Sequence, residues 1–405
     1  MSKIEPKKDS HKVLRNNLTP EFFKQDPYLA MRFKIVLQEM SDYSKKCEYI
    51  LSSLEQTYSS LSQKHLDKLP FNYKEKIEKV KNGIQLNQDF YNKVLSLYKD
   101  EFNHITFTKE QHEEHRAMEE YLIRHFFLKC LMRDWTLESK PERDNNYGMV
   151  LNEVKKYYNY DDKNLMKNNT FKALVPGTGC SRLTFELAKR GFEVEANDFC
   201  FIYILCDDYL FNYSHKNEFQ FCPSIHTFAN SYSQSAVLKK YSFPDVDIRE
   251  ELEKSGAKPI TFIKGDFLLK YKGIKDQYDL IVTLFFIDVS KNIIEYVEIM
   301  HDLLKKGGVW INLGCLDYYH SPRNDSIDLT WDELRQVIIN YDFEIKNDVT
   351  GFVPYGVKEG CMMSDSYGTV FFTAMKKLKI IIKIRILLIN ILLLEIIKII
   401  KKLQI

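Results

Sequence analysis

Glycines and acidic residues suited to ligand binding follow three apolar, strand-like runs of the sequence. In the loop PGTGCSR, Gly177 and Gly179 come directly after the run Ala173–Val175. Glycines at such a point let the backbone approach a ligand closely, and the helix start behind them favours anionic or electron-rich groups. The loop lacks the third glycine of a dinucleotide-binding loop, so alone it indicates a cofactor site only weakly.

Two carboxylates follow later strand-like runs. Asp198 lies just after the run Phe192–Ala196, about twenty residues beyond the glycines, where a carboxylate can accept from both ribose hydroxyls. A helix N-cap is the competing interpretation of Asp198. Asp266 follows the run Thr261–Ile263 and could accept from an adenine amino group, with Phe267 offering a backbone N–H and an apolar wall. GDF is also an ordinary turn, but the three segments together match the needs of an adenosine group.

The elements that carry these residues alternate between strand and helix, which predicts a doubly wound α/β sheet with its ligand at the carboxyl ends of the strands. Beyond residue 200 we expect a helix to about Tyr213 and then an irregular insertion to about Pro259. The remaining predicted strands are Asp279–Phe286, Val309–Leu313, Phe343–Lys346 and Thr369–Ala374, with helices through Ile293–Leu303 and Trp331–Ile339.

Composition divides the chain into four regions. Residues 1–26 are polar and are expected to be flexible, residues 27–140 have helical periodicity, and residues 141–377 carry the α/β pattern. Residues 378–405 are almost wholly Ile, Leu, Lys and Asn. Charged and polar residues interrupt this tail, so it predicts no spanning helix; an interfacial helix and a low-complexity extension stay open.

The charge balance argues against a nucleic-acid partner. The chain has 58 Lys and Arg against 56 Asp and Glu, and six of these basic residues lie in the tail. Eight scattered cysteines without a CxxC pair, and no apolar signal segment, predict a reducing compartment. His112 and His115 in HEEH have no third ligand nearby, so we expect a solvated helix face and no metal site.

NAD and S-adenosylmethionine (SAM) both contain adenosine, so other features must separate them. An antiparallel final strand pair, the KKGG turn before the strand at Val309 and the missing loop glycine favour SAM. A dehydrogenase would also need a His, Lys or Tyr placed for hydride transfer, and the sequence shows no such motif.

The sequence resembles the carnosine N-methyltransferase family from about Arg133 to Met375. The resemblance is carried by VPGTGCSRLTFELAKRGFEVEANDFCF, FPDVD, GDF, FFIDVSKNIIEYVEIMHDLLKKGGVWINLG and the block around CMMSDSYGTVFF, with RDW and ERD before the sheet. It implies a class I SAM-dependent methyltransferase with a seven-stranded Rossmann-like sheet behind an N-terminal helical region. The implied reaction moves a methyl group from SAM to the N-pi atom of the imidazole of carnosine, giving anserine.

The resemblance also implies roles for individual residues. Those implied to hold SAM are Arg133, Gly177, Gly179, Asp198, Asp266, Phe267 and Leu284. Those implied to contact carnosine are Asp288, Tyr319, His320, Tyr355 and Tyr367, with Asp288, His320 and Tyr367 as the catalytic set. Read without the resemblance, Asp288 is equally a helix N-cap, and the tyrosines are packing rings.

The sequence departs from the family pattern at three points. A family glutamine three residues before Arg133 is Cys130, the family's tyrosine cluster is reduced to Tyr367 in DSY, and the family's Tyr-His becomes Tyr318-Tyr319-His320. Either His320 or Tyr319 then fills the histidine position, and we favour His320.

The change at Cys130 concerns a cofactor contact of the family. The displaced histidine and the reduced tyrosine cluster leave room for another histidine dipeptide, or a protein histidine, as acceptor. A non-catalytic adaptor is a further alternative, against which the intact glycines and acidic residues argue. We expect a cytosolic protein, with the nucleus as a second compartment, a homodimer through the N-terminal helices, and no nucleic-acid partner or membrane span.

Overall fold

The computed structural model describes residues 13–16, 18–98, 109–158, 160, 171–319 and 325–377. The predicted low-complexity tail and His320 therefore lie outside the described residues, as do the side chains of His112 and His115.

Ten strands form two sheets within these described residues. They are β1 (Leu14–Asn16), β2 (Lys172–Pro176), β3 (Glu193–Asp198), β4 (Phe219–Phe221), β5 (Tyr241–Phe243), β6 (Ile260–Lys264), β7 (Tyr278–Leu284), β8 (Leu304–Gly314), β9 (Phe343–Pro354) and β10 (Ser366–Lys376). The main sheet has the order β1-β6-β3-β2-β7-β8-β10-β9, and only β4 and β5 pair apart from it. Strand β10 runs antiparallel to β8 and β9, while the other described pairs of the main sheet are parallel. The predicted doubly wound α/β fold is confirmed.

The eighth strand of the main sheet comes from the segment predicted to be flexible. Strand β1 pairs in parallel with β6, with Leu14 opposite Ile260. The side chain of Asn212 accepts from the backbone N–H of Leu14 (3.1 Å) and donates to its carbonyl (3.0 Å). Leu14 is fully buried. Burial of Leu14 and the two hydrogen bonds from Asn212 order this strand. Three residues within a polar segment are too few to predict a strand from the sequence.

Helices fill the N-terminal half and cover the sheet. The first group is α1 (Pro20–Gln25), α2 (Pro27–Ser41), α3 (Tyr43–Lys46), α4 (Glu48–Ser60), α5 (Gln63–Leu66), α6 (Tyr73–Leu95), α7 (Lys109–Tyr121), a π-helical turn (Leu122–Phe126) and α8 (Phe127–Trp135). The second is α9 (Lys140–Tyr158), α10 (Arg182–Lys189), α11 (Phe201–Asn212), α12 (Gln234–Val237), α13 (Ile248–Ser255), α14 (Phe267–Tyr271), α15 (Ile293–Leu303) and α16 (Trp331–Asn340). Helix α11 is buried along its whole length and joins the groups, with the Phe201 ring 5.3 Å from that of Phe33. Within the described residues, no helix is long and apolar enough to cross a membrane.

The region predicted as an irregular insertion up to Pro259 contains β4, β5, α12 and α13, so that prediction is wrong in part. The hairpin packs on α6, where the ring of Phe90 lies 5.1 Å from Phe219 and 5.0 Å from Phe243. Strands of three residues are too short to show a period of two, so their order depends on this contact.

Candidate active site

The glycine loop after β2 is held in a conformation that favours glycine. Gly177 and Gly179 have φ of +62° and +56°, and the Thr178 N–H donates to the Asn197 carbonyl at 3.1 Å. A Cβ atom at Gly177 would lie 2.2 Å from a ring carbon of Phe286. The loop therefore needs glycine at position 177 both for its dihedral angle and for the close approach of Phe286.

A buried polar group that sequence reasoning missed lies beneath the loop. Ser181 also has a positive φ of 57°, and its hydroxyl donates to the Asp207 carboxyl at 2.5 Å. Asp207 is fully buried, and burial raises its pKa well above the ordinary range. Asp207 thus supports the glycine loop through Ser181. Its only sequence signal is an acidic residue within an apolar helix.

Asp198 lies at the tip of β3 beside the loop. Its Oδ2 accepts from the Gly179 N–H at 3.0 Å, and its Oδ1 accepts from the Cys200 N–H at 2.8 Å. Burial raises the pKa of Asp198, and the Cys200 N–H bond and the Lys264 ammonium oppose that shift. The carboxylate thus links the glycine loop to the segment before α11, and its remaining lone-pair capacity can accept from a ribose hydroxyl.

Asp266 caps α14 at the tip of β6, where its Oδ1 accepts from the Leu269 N–H at 3.0 Å. The neighbouring Phe267 ring is 3% exposed and packs 5.1 Å from Tyr296 and 5.5 Å from Phe286. Most of that ring therefore belongs to the core, so it offers little of the apolar surface that was predicted for adenine.

Phe199, directly after Asp198, offers the exposed ring that the predictions omitted. Its ring is 36% exposed, the Arg32 guanidinium lies 4.2 Å from its centroid, and the Lys264 ammonium lies 4.9 Å away. Lys264 is fully buried, and burial lowers its pKa to about 8. An aromatic residue beside an acidic strand tip was the available sequence signal for Phe199.

Arg133, predicted to face the cofactor carboxylate, lies in α8 and is largely buried. Its Nε and Nη2 donate to the two oxygens of Asp134, at 2.6 and 3.2 Å. Its guanidinium carbon lies 5.1 Å from the centroid of the Tyr355 ring. Because Asp134 engages the Nε side of the fork, we expect the Nη1 side to meet a ligand carboxylate.

Asp288 lies in a 3₁₀ turn beyond β7, two residues after Phe286. It is 7% exposed, and its Oδ2 accepts from the Cys315 thiol at 3.2 Å and from the Asp317 N–H at 3.1 Å. Burial raises the pKa of Asp288, although the bond from Cys315 lowers it. Its described hydrogen bonds come from the segment after β8 and not from the start of α15, which is capped by Asn292.

Two predicted tyrosines lie close to each other and to a residue that was not predicted. The Tyr355 and Tyr367 rings are 5.5 Å apart at 89°, and the Phe285 ring lies 4.8 Å from Tyr355. Phe285 has a positive φ of 49°, a strained value for a bulky residue. Cys130, which replaces the family's glutamine, is buried with its sulfur 3.9 Å from the Tyr355 hydroxyl. This cysteine packs beside Tyr355, and burial raises its pKa.

The last predicted residues lie at the rim. Leu284 ends β7 and is half-buried. The Tyr319 side chain is 66% exposed, and its backbone N–H donates to the Asp288 carbonyl at 3.2 Å. The structure therefore brings Asp288, Tyr355 and Tyr367 to one edge of the sheet and leaves the Tyr319 ring largely in solvent.

The parallel sheet with an antiparallel β10, the glycine loop and the acidic strand tips define a class I SAM-dependent methyltransferase, whose cofactor is SAM. A family model described as carnosine N-methyltransferase matches residues 109–378, and the chain belongs to this family.

Curated relatives agree with this assignment. A carnosine N-methyltransferase of Dictyostelium discoideum is 25% identical over 352 residues, which are 84% of this chain and 75% of that protein. A carnosine N-methyltransferase of Mus musculus is 32% identical over 253 residues, 62% of each protein. One of Schizosaccharomyces pombe is 30% identical over 232 residues, 54% of this chain and 61% of that one. The chain thus spans about three quarters of the first relative and about three fifths of the other two.

Proposed function

We propose that this chain transfers a methyl group from SAM to the N-pi atom of the imidazole of carnosine, giving anserine and S-adenosylhomocysteine. Family membership supports the reaction, and one observation carries it in this structure. The buried Asp288 carboxyl lies two residues beyond Phe286, whose ring contacts Gly177 of the glycine loop, and it hydrogen-bonds the segment that leads to Tyr319.

The residues present fit SAM. The loop at Gly177 and Gly179 leaves room for the methionine part of SAM, and Asp198 would accept from the ribose hydroxyls. Oδ1 of Asp266 caps α14, so its Oδ2 would accept from the adenine amino group. Phe199 provides an exposed aromatic face beside them. When bound, SAM supplies a methyl group on a sulfonium, which a neutral nitrogen can attack directly.

The acceptor needs orientation more than it needs a strong base. An imidazole with a pKa near 6.5 is roughly three-quarters neutral at pH 7. Asp288 accepts a hydrogen bond from the N–H of the far ring nitrogen, which leaves the lone pair of the near nitrogen facing the methyl group. The same carboxylate stabilises the positive charge that develops on the ring. Tyr355, Tyr367 and Phe285 enclose the ring.

We propose that His320 assists Asp288, with Tyr319 as the alternative at that position. The support is the bond from the backbone N–H of Tyr319, next to His320 in the chain, to the Asp288 carbonyl. Comparing His320→Ala with Tyr319→Phe separates the two, because only the residue that contacts the acceptor should change the KM for carnosine.

Methyl transfer from labelled SAM tests the reaction. Purified protein is incubated with carnosine, homocarnosine, free histidine and a protein extract, and the product is analysed by mass spectrometry and NMR. We expect label on the N-pi atom of carnosine. Label only in another dipeptide or in a protein histidine would overturn the proposed acceptor, and label on the other ring nitrogen would overturn the proposed role of Asp288.

We also propose a cytosolic enzyme, with the nucleus as a second compartment, that forms a homodimer through its N-terminal helices. All eight cysteines are free, which suits a reducing compartment. Fluorescence microscopy of the tagged protein and light scattering of the purified protein test the two statements.

A further inference from the structure

A cluster of charged side chains lies beside Tyr355, one of the two tyrosines of the candidate site. Lys129 of α8 forms an ion pair with Asp365, and its ammonium lies 5.3 Å from the centroid of the Tyr355 ring. Lys358 shares these neighbours: burial lowers its pKa, the Cys361 thiol raises it, the Lys129 ammonium lowers it and the Asp365 carboxylate raises it. Lys129 and Lys358 thus bring two positive charges against the single negative charge of Asp365.

The loop at Gly356 fixes the position of the Lys129 side chain. The Lys129 stem crosses Gly356, where a Cβ atom would lie 2.2 Å from the lysine Cε, and Gly356 has a φ of +63°. The carboxylate of Glu142 fixes this loop by accepting from the N–H groups of Gly356 at 2.6 Å and Val357 at 2.9 Å. The position of the ammonium group is therefore determined by buried contacts.

Tyr367 connects the cluster to the acceptor side, because its ring lies 5.5 Å from that of Tyr355, which Lys129 contacts. Burial raises the pKa of Tyr367, followed by Cys315 and then the Asp365, Asp317 and Asp288 carboxylates, so both ends of the site act on this ring. Because Tyr355 encloses the imidazole in the proposed function and the Lys129 ammonium lies 5.3 Å from the centroid of that ring, the backbone end of the acceptor can reach Lys129. In a free histidine derivative that end carries a carboxylate.

We propose that Lys129 binds the free carboxylate of the acceptor, with Lys358 supplying the second positive charge. The inference rests on the proposed function, because it assigns the group that recognises the small acceptor. Asp365, whose side chain is 47% exposed, can turn toward solvent or toward an ammonium group of the acceptor when the carboxylate enters. A histidine within a protein chain has an amide at this position, so Lys129 makes the enzyme selective for small acceptors.

The test compares carnosine with its C-terminal amide in the wild type and in Lys129→Met, which keeps the apolar stem over Gly356 and removes the charge. A hydrogen bond between charged groups should give the wild type a preference for carnosine of about 10- to 100-fold in kcat/KM. Lys129→Met should lose that preference while its activity on the amide and its SAM affinity stay unchanged. Lys129→Arg should retain part of the preference.

The matched control is Lys305→Met. It removes an ammonium group that lies 2.8 Å from Asp279 at the amino end of β8, away from the site, and it should keep the full preference for carnosine. Equal wild-type activity on carnosine and its amide would overturn the role of Lys129 and leave the proposed function intact. A wild type that binds SAM but methylates only histidines within proteins would overturn both proposals.

Discussion

Backbone hydrogen bonds between neighbouring strand tips hold the cofactor side of the site, whereas side chains from separate segments assemble the acceptor side. Gly179, Asp198 and Asp266 lie after β2, β3 and β6, which are adjacent in the sheet. Asp288, Cys315, Tyr355 and Tyr367 come from four segments that meet through rings, a thiol and one backbone N–H. The cofactor side can therefore persist while the acceptor side changes by single substitutions.

The largest expected effect separates the two sides at Asp288. Asp288→Asn should lower kcat about 100-fold or more, because an amide is a weaker acceptor and cannot stabilise the cationic product. SAM affinity, measured by calorimetry, should change little. Asp276 precedes β7, at the end of the strand opposite to Asp288. Asp276→Asn is therefore the control, and its turnover should be normal. Normal turnover in Asp288→Asn as well would remove this carboxylate from the mechanism.

The next effect concerns the cofactor side alone. Gly177→Ala should weaken SAM binding about 10- to 100-fold, because the new Cβ atom collides with Phe286 and the backbone is strained. Gly273→Ala shares a positive φ of 82° but meets no atom within 4 Å, so it should bind SAM normally. Calorimetric titration of both variants, with thermal unfolding as a folding check, tests this. Wild-type affinity in Gly177→Ala would contradict the tight fit of the loop.

A smaller effect depends on pH. Because burial raises the pKa of Asp198, its carboxylate should be protonated at a higher pH than an ordinary aspartate, and only the ionised form accepts from both ribose hydroxyls. SAM affinity should therefore fall as the pH decreases from 7, approaching about tenfold per pH unit below that pKa. Asp198→Asn should bind weakly with a flat profile over this range. A flat wild-type profile would argue that Asp198 does not bind the ribose.

The smallest effect tests the support of Asp288. Cys315→Ala removes a weak donor that lowers the pKa of Asp288, so that pKa should rise further. The acid limb of the pH–kcat profile should then move to higher pH by less than about one unit, with kcat at pH 8 nearly unchanged. An unshifted limb would show that the thiol does not influence the carboxylate.

Sequence patterns predicted the central strands well and the short elements poorly. The runs at Ala173 and Thr261 are apolar and end at glycine or aspartate, so their positions follow from local chemistry. Strand β1 and the β4–β5 hairpin have three residues per strand, and their order depends on Asn212 and Phe90, which are distant in the chain.

The candidate site shows the same division. Gly177, Asp198 and Asp266 were found from residue type and spacing, since consecutive parallel strands end at one edge of the sheet. Lys264, Asp207 and Phe285 were missed, because burial gives the first two their character and a positive φ distinguishes the third.

By itself, the sequence determined the parallel sheet, the glycine loop and the acidic strand tips, because each depends on residues that are close in the chain. Only the tertiary structure decided that Tyr355 meets Tyr367, that Cys130 lies beside Tyr355 and that Lys129 pairs with Asp365. Cys130 and Tyr355, for example, are 225 positions apart in the chain. No local propensity encodes such a distance, so packing of the helical region against the sheet creates the acceptor side.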